Sequence, residues 1–151
     1  MKRLIAKVWR GLRGSWQWRV MWLAHAKFMI GVTGIVRDDQ GRYLLLKNRM
    51  WPENRDWGLP TGYAVKGETW EQTVVREVRE ETGLDVEPGR LVHLKTGYKL
   101  RAEVAYEARL VGGRMKLDPF EILEARWCTP EDLPEGLQPA HRALVLGMIP
   151  D

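Results

Sequence analysis

The sequence predicts an α/β fold, in which a mixed β-sheet lies between helices as an α/β/α sandwich. Strand-like runs rich in Val, Ile and Leu recur between residues 27 and 127. Two segments with helical periodicity, from Thr69 to Gly83 and from Gln138 to Gly147, interrupt and follow those runs. Mixed strands with a helix packed on each face form such a sandwich. A basic helix is predicted before it, so we divide the chain into residues 1–26 and a main domain, residues 27–151.

The N-terminal segment fits an amphipathic helix over residues 3–24. Its apolar residues fall within one arc at helical spacing: Leu4, Ile5, Val8, Trp9, Leu12, Trp16, Val20 and Leu23. Gly11 and Gly14 lower the helix propensity and bend or break the helix. We favour packing of the apolar arc on the main domain or across a homodimer interface. A membrane-surface helix is a second interpretation, and help in binding substrate phosphates or nucleic acid is a third.

Charge is distributed unevenly along the chain. The net charge is +4, but residues 1–27 contain seven Lys or Arg and no acid, so the other 124 residues carry −3 (the total of +4 less seven). No apolar run is long enough to span a bilayer. The single cysteine, Cys128, excludes an internal disulfide and is expected to be buried. We therefore expect one domain in the reducing cytoplasm.

The elements of the main domain follow from local patterns. Residues 27–37 and 42–48 predict a hairpin around an Asp-Asp-Gln-Gly turn, and residues 49–56 predict a polar loop. Further strands are predicted in residues 84–94, 95–110 and 115–127, with Gly112-Gly113 as a hairpin turn. Thr129 and Pro130 predict the start of a helix.

Carboxylates are concentrated in the segment that follows the polar loop. Glu77, Glu80 and Glu81 stand at i, i+3 and i+4, so they share one helical face, and Glu68 precedes that helix. Like charges this close repel one another unless a cation is bound. Hard divalent ions such as Mg²⁺ or Mn²⁺ take oxygen ligands of this kind. Val74, Val75, Val78 and Thr82 form the opposite face, and Gly83 is placed to end the helix in the left-handed conformation.

Residues 62–84 resemble the Nudix box, G-x5-E-x7-R-E-U-x-E-E-x-G-U, where U is a bulky aliphatic residue. All nine specified positions match: Gly62, Glu68, Arg76, Glu77, Val78, Glu80, Glu81, Gly83 and Leu84. Two neighbouring positions depart from the usual family pattern, because Thr61 stands where a glycine is common and Val65 where a glutamate is common. Neither position belongs to the core of the box.

The resemblance implies a metal-dependent hydrolase that acts on nucleoside diphosphates linked to another group. It implies that Glu77, Glu80 and Glu81 bind the metal, that the Gly62 carbonyl completes the ligands, and that Glu68 is a ligand or positions one. Arg76 is expected to orient Glu80 or Glu68 through a charge-assisted hydrogen bond. The general base varies in the family, and we expect either a box glutamate or Glu121, with Glu124 as the second downstream choice.

Specificity residues lie outside the box. We expect Lys47, Arg49 and Arg55 to contact phosphates and Trp51 or Tyr98 to stack on a base; Trp57 fits stacking and the core equally. We expect the ligand to be a small nucleotide substrate, and we expect no stable nucleic-acid partner. The alternatives are a nucleoside triphosphate pyrophosphatase and a non-catalytic nucleotide-binding module. The second disagrees with the complete set of box carboxylates.

Overall fold

Four α-helices and seven strands make up the described part of the chain. The computed structural model describes residues 2–12, 14–96 and 100–148. In chain order the elements are α1 (Lys2–Gly11), α2 (Gly14–Ala24), β1 (Met29–Arg37), β2 (Tyr43–Asn48), a 3-10 turn (Glu53–Arg55), β3 (Trp57–Gly58), β4 (Thr61–Tyr63), α3 (Trp70–Thr82), β5 (Leu84–Thr96), β6 (Arg101–Gly113), β7 (Ile122–Cys128) and α4 (Pro139–Val145).

All seven strands belong to one mixed sheet. The central order is β3-β2-β1-β6-β5, while β4 also pairs with β1 and β7 also pairs with β2. β1 and β6 run parallel over their nine paired positions, from Met29 opposite Arg101 to Arg37 opposite Arg109. The other pairs are antiparallel.

A helix covers each face of this sheet, which confirms the predicted α/β/α sandwich. Successive side chains of a strand point to opposite faces. Val36 packs in the cluster that contains Val74 and Val78 of α3, and its neighbour Ile35 packs in the cluster that contains Val145 of α4. Val74 and Val78 are fully buried, so each stabilises the fold by roughly 1.5–3 kcal/mol. This packing fixes which face of α3 is left for the carboxylates.

The Gly112-Gly113 turn was predicted in the wrong place. β5 and β6 form the hairpin, and these glycines lie at its open end, where Gly113 pairs with Leu84. Gly113 has a φ of 87°, and a Cβ there would lie 2.6 Å from the Gly83 carbonyl oxygen. Gly113 therefore permits a close approach to the end of α3, a long-range requirement that local sequence does not reveal.

Two other boundaries also differ from the prediction. The strand predicted from Met115 begins at Ile122. The helix predicted at Thr129 is a turn, in which the backbone N–H and the hydroxyl of Thr129 donate to the carboxylate of Asp132. Pro134 follows two residues later and cannot donate the hydrogen bond that would extend a helix.

The N-terminal segment forms two helices, since α1 ends at Gly11 and α2 begins at Gly14. For α2 the structure contradicts one of the two predicted arrangements, packing on the main domain, because α2 has no buried residue. Within α2, Gln17 is the one half-buried residue, and its side-chain amide donates to the Trp9 carbonyl of α1 at 2.8 Å. The homodimer interface stays a prediction. Among the described residues, no helix combines the length and apolar character required to cross a membrane.

Candidate active site

Both ends of α3 are fixed by local hydrogen bonds. At its start, the Gln72 N–H donates to the Thr69 hydroxyl at 3.3 Å, and the Thr69 N–H donates to the Gln72 side chain at 2.8 Å. Such a capping box satisfies N–H groups that the helix leaves free, and its N-cap is typically worth about 1 kcal/mol. At its end, Gly83 has a φ of 71° and donates to the Arg79 carbonyl. The expected left-handed glycine at the end of the helix is confirmed.

Arg76 connects three of the box carboxylates. Its guanidinium donates to Glu68 at 2.8 and 3.2 Å, to Glu77 at 2.7 Å and to Glu80 at 3.0 Å, and also to the Tyr63 carbonyl at 3.0 Å. These bonds lower the pKa of Glu68 to about 2, and they raise the pKa of Arg76. Arg76 therefore bonds to both glutamates that the sequence proposed for it, and to Glu77 as well.

The carboxylates on α3 differ strongly in exposure. Glu80 is exposed, whereas Glu81 is 5% exposed and its Oε2 atom has no hydrogen-bond partner. Burial raises the pKa of Glu81 well above its ordinary value, and the charges of Glu77 and Glu121 raise it further. Burial also raises the pKa of Glu77, against the opposing effect of Arg76. The helix thus holds ionisable oxygens where water solvates them poorly.

Gly62 lies directly against the Glu77 carboxylate. A Cβ at position 62 would stand 1.9 Å from Glu77 Cδ and Oε1. Gly62 belongs to β4, and it pairs with Val32 on β1. The lack of a side chain here lets the backbone of the sheet approach a carboxylate of the helix.

Glu121 joins this cluster from a distant part of the sequence. It immediately precedes β7, and its carbonyl accepts a hydrogen bond from the Arg49 N–H at 2.8 Å. Its side chain borders the same cleft as Glu77, and its charge acts on both Glu77 and Glu81. Glu124 instead forms an exposed ion pair with Arg126 at 3.0 Å. The structure therefore brings the first of the two downstream candidates to the carboxylates.

The cleft beside these carboxylates has a volume of about 920 Å³. Trp51 and His141 also line it, and their ring centroids are 5.9 Å apart. His141 Nδ1 accepts the Leu59 N–H at 3.0 Å. Burial and the nearby charge of Arg101 lower the pKa of His141 to about 4. The ring is therefore neutral at pH 7, and its proton is on Nε2.

Sequence reasoning missed two residues of this cleft, His141 and Arg101. Arg101 stacks on the Tyr63 ring, 5.3 Å from its centroid, and its Nε lies 3.0 Å from Glu103 Oε1. His141 lies on α4 and Arg101 begins β6, so neither is near the box in sequence. No local motif marks them, and only the folded sheet brings them to the cleft.

Most of the predicted substrate contacts lie elsewhere. Trp51 borders the cleft, but Lys47, Arg49 and Arg55 do not. Lys47 pairs with Asp56 at 3.5 Å, Arg49 donates to the Pro119 carbonyl at 3.2 Å, and Arg55 is exposed in the 3-10 turn. Trp57 is buried in the core, and Tyr98 lies outside the described residues.

The carboxylates are not preassembled as ligands. Within the described ranges, no three acidic, His or Cys side chains converge as a metal-binding set. Arg76 instead pairs with oxygens of Glu68, Glu77 and Glu80. The donor set is nevertheless of the chemical type that hard divalent ions bind, and it includes the unpartnered oxygen of Glu81.

Comparisons with known proteins agree with this fold and this helix. The NUDIX domain family matches residues 27–147, and the chain belongs to that family. An NAD-capped RNA hydrolase NudC from Enterobacter sp. is 36% identical over 104 residues, which are 68% of this chain and 39% of that protein. The chain thus aligns with well under half the length of this relative.

Two solved structures are also similar. A MutT NUDIX hydrolase from Burkholderia pseudomallei is 28% identical with a TM-score of 0.69, and the match covers 82% of this chain and 99% of that one. An ADP-ribose pyrophosphatase from Streptococcus suis is 25% identical with a TM-score of 0.64, over 80% of this chain and 90% of that one.

Proposed function

We propose that this protein is a divalent-cation-dependent pyrophosphohydrolase, which cleaves the diphosphate of a nucleoside diphosphate linked to a further group. One observation carries the proposal. A single cleft is lined both by carboxylates, Glu77 and Glu121, and by an aromatic pair, Trp51 and His141. A diphosphate near the carboxylates and a base against the aromatic pair match these two kinds of lining residue.

The residues proposed to hold the cation are Glu77, Glu80, Glu81 and the Gly62 carbonyl. The buried Oε2 of Glu81 supports this choice, because a buried carboxylate oxygen without a partner is unfavourable unless a cation is bound. Bound there, Mg²⁺ or Mn²⁺ would offset the charge of the diphosphate and make an attacking water more acidic. Glu68 is proposed to position Arg76 rather than to bind the cation, since it accepts two of the Arg76 hydrogen bonds.

Glu121 is the general base that we propose. Its carboxylate accepts a proton from the attacking water, the water oxygen forms a bond to phosphorus, and the bond from phosphorus to the bridging oxygen breaks. The products are two phosphate monoesters. Glu121 is suited to this step because it borders the cleft from the start of β7 and not from the box helix.

Trp51 and His141 are proposed to bind the nucleotide base. Trp51 offers a face for stacking, and the neutral His141 offers an Nε2–H donor because its Nδ1 is already bonded to Leu59. Arg101 lines the cleft from the start of β6. It is proposed to contact the phosphates in place of Lys47, Arg49 and Arg55.

The comparisons favour this substrate class. The names NAD-capped RNA hydrolase and ADP-ribose pyrophosphatase both specify substrates in which a nucleoside diphosphate is linked to another group. The proposal covers this chain only, because it aligns with 39% of the NudC length. We place the activity in the cytoplasm, where the buried Cys128 stays reduced.

A substrate panel with Mg²⁺ or Mn²⁺ tests the proposal. We expect faster release of phosphate monoesters from NAD and ADP-ribose than of pyrophosphate from nucleoside triphosphates. Glu80→Gln and Glu81→Gln each remove a negative charge at constant size, so the rate should fall by at least about two orders of magnitude. Glu121→Gln should lower it by about 10²–10⁴, while the matched control Glu124→Gln should leave it unchanged.

Different outcomes reject different parts of the proposal. Wild-type turnover by both box variants rejects the cation site. Loss in Glu124→Gln with full activity in Glu121→Gln reverses the assignment of the base. Preferential hydrolysis of triphosphates rejects the substrate class and leaves the cation site standing.

A further inference from the structure

The N-terminal helices present an apolar surface that the described chain does not cover. Trp16, Trp18 and Trp22 of α2 are 57%, 70% and 55% exposed, and Leu23 is 72% exposed. Apolar residues occupy most of the circumference of α2, which Ser15, Gln17 and Arg19 interrupt. A helix that is apolar nearly all round is normally buried, so α2 requires a partner that covers it.

The charge of this segment restricts the partner to an acidic one. Residues 1–27 contain seven Lys or Arg, and Asp38 is the first acid in the chain. On α1, Lys7 and Arg10 lie opposite the exposed Ile5 and Val8 in the helical projection. The segment therefore combines an apolar surface with an uninterrupted positive charge.

Two cations on this segment stand over tryptophan rings. The Arg19 guanidinium lies 4.9 Å from the Trp16 ring centroid, and the Lys27 ammonium lies 4.5 Å from the Trp22 ring centroid. Each pair places an apolar ring beside a positive charge. Tryptophan and Lys or Arg are suited in this way to the boundary between lipid headgroups and acyl chains.

We propose that α1 and α2 bind an anionic lipid surface, with the tryptophans inserted at the headgroup boundary and the cations on lipid phosphates. The helices have 10 and 11 residues, about half the length that spans a bilayer, so they lie on the surface. The proposal is independent of the hydrolase proposal, because none of the described residues of this segment lines the cleft.

The observations favour lipid over two other partners. A second copy of this segment would bring seven further positive charges against the first seven, and like charges repel. RNA would use the cations and the aromatic rings, but it would leave the exposed aliphatic side chains of Val20, Met21 and Leu23 in water. Acyl chains can cover all three.

Vesicle co-sedimentation of the full chain tests the proposal. We expect at least tenfold tighter binding to vesicles of phosphatidylglycerol and phosphatidylcholine than to phosphatidylcholine alone, with weaker binding at high salt. Each cation near an anionic surface contributes about fivefold, so the combined variant Lys7→Gln, Arg10→Gln, Arg19→Gln should bind up to roughly a hundredfold more weakly. The combined variant Trp16→Ala, Trp18→Ala, Trp22→Ala should lose most of the binding.

Matched variants on the main domain provide the controls. Arg114→Gln and Val111→Ala change an exposed cation and an exposed apolar residue, and neither should affect vesicle binding. All variants should keep the wild-type melting temperature. Absence of sedimentation with anionic vesicles, equal binding to neutral vesicles, or tighter binding to single-stranded RNA would overturn the proposal. A mass in solution that is dimeric for the wild type and monomeric for the tryptophan variant would overturn it in favour of a second copy.

Discussion

The substitution Gly62→Ala should disturb the geometry of the site, and therefore the rate of hydrolysis, with little effect on the stability of the fold. Gly62 does not have a positive φ, so alanine fits its backbone. The new Cβ would nevertheless stand 1.9 Å from Glu77 Cδ and Oε1. The Glu77 carboxylate must retreat by about 1.5 Å, the difference between 1.9 Å and the 3.4 Å at which ordinary contact begins.

This displacement determines the expected magnitude. The obstructing atoms are the far end of a flexible side chain, so the fold can adapt by moving Glu77 alone. We expect a change in unfolding free energy within about 1 kcal/mol, which is about 2–4 °C in melting temperature for a chain of this size. A misplacement of about 1 Å in a catalytic site can lower the rate by about 10², and we expect at least that loss in kcat/KM.

The assay is steady-state hydrolysis of the best panel substrate, with thermal unfolding followed in parallel. Gly89→Ala is the matched control, since its Cβ would meet Glu107 no closer than 3.4 Å and neither residue lines the cleft. The double variant Gly62→Ala, Glu77→Gln should be no slower than Glu77→Gln, because both changes act on one carboxylate. Full activity in Gly62→Ala, or losses that multiply in the double variant, would refute the reasoning.

The remaining predictions concern charge and pH. With a chelator present, Glu81→Gln should raise the unfolding free energy at pH 7.5 by about 1–3 kcal/mol, since it removes a buried charge with an unpartnered oxygen. Because the pKa of Glu81 is raised above 4.5 in the fold, this gain in unfolding free energy should shrink as the pH falls toward 4.5. A difference in melting temperature that stays constant with pH would contradict this prediction. Added Mg²⁺ should stabilise the wild type more than the variant. Arg76→Lys cannot bridge three carboxylates, so NMR titration should show the pKa of Glu68 rising from about 2 toward 4.5. The wild type keeps the stabilisation from Glu68 above about pH 4.5 and loses it as the pH approaches 2, so acid unfolding of the variant should start at higher pH. Finally, activity should rise toward alkaline pH and disappear with EDTA, and activity that survives exhaustive chelation would exclude a metal-dependent reaction.

Local sequence patterns were sufficient to predict the box helix and the class of fold. A left-handed glycine at Gly83 and the spacing of Val74 and Val78 are local signals, and the structure confirms both of them. They are readable because helix ends and amphipathic faces depend on residues within a few positions of one another. The hydrogen bonds from Arg76 to Glu68 and Glu80 follow from the same local geometry.

Which residues meet the box helix depends instead on long-range packing. His141 and Arg101 reach the cleft because α4 and β6 pack beside it, and Lys47 pairs with Asp56 instead of facing the cleft. Burial separates Glu81 from its exposed neighbour Glu80, although both are glutamates on one helix. The exposure of α2 was likewise hidden, because an apolar pattern indicates that a helix requires cover and does not identify what provides it. Each of these outcomes depends on contacts between residues far apart in sequence, for which local periodicity carries no signal.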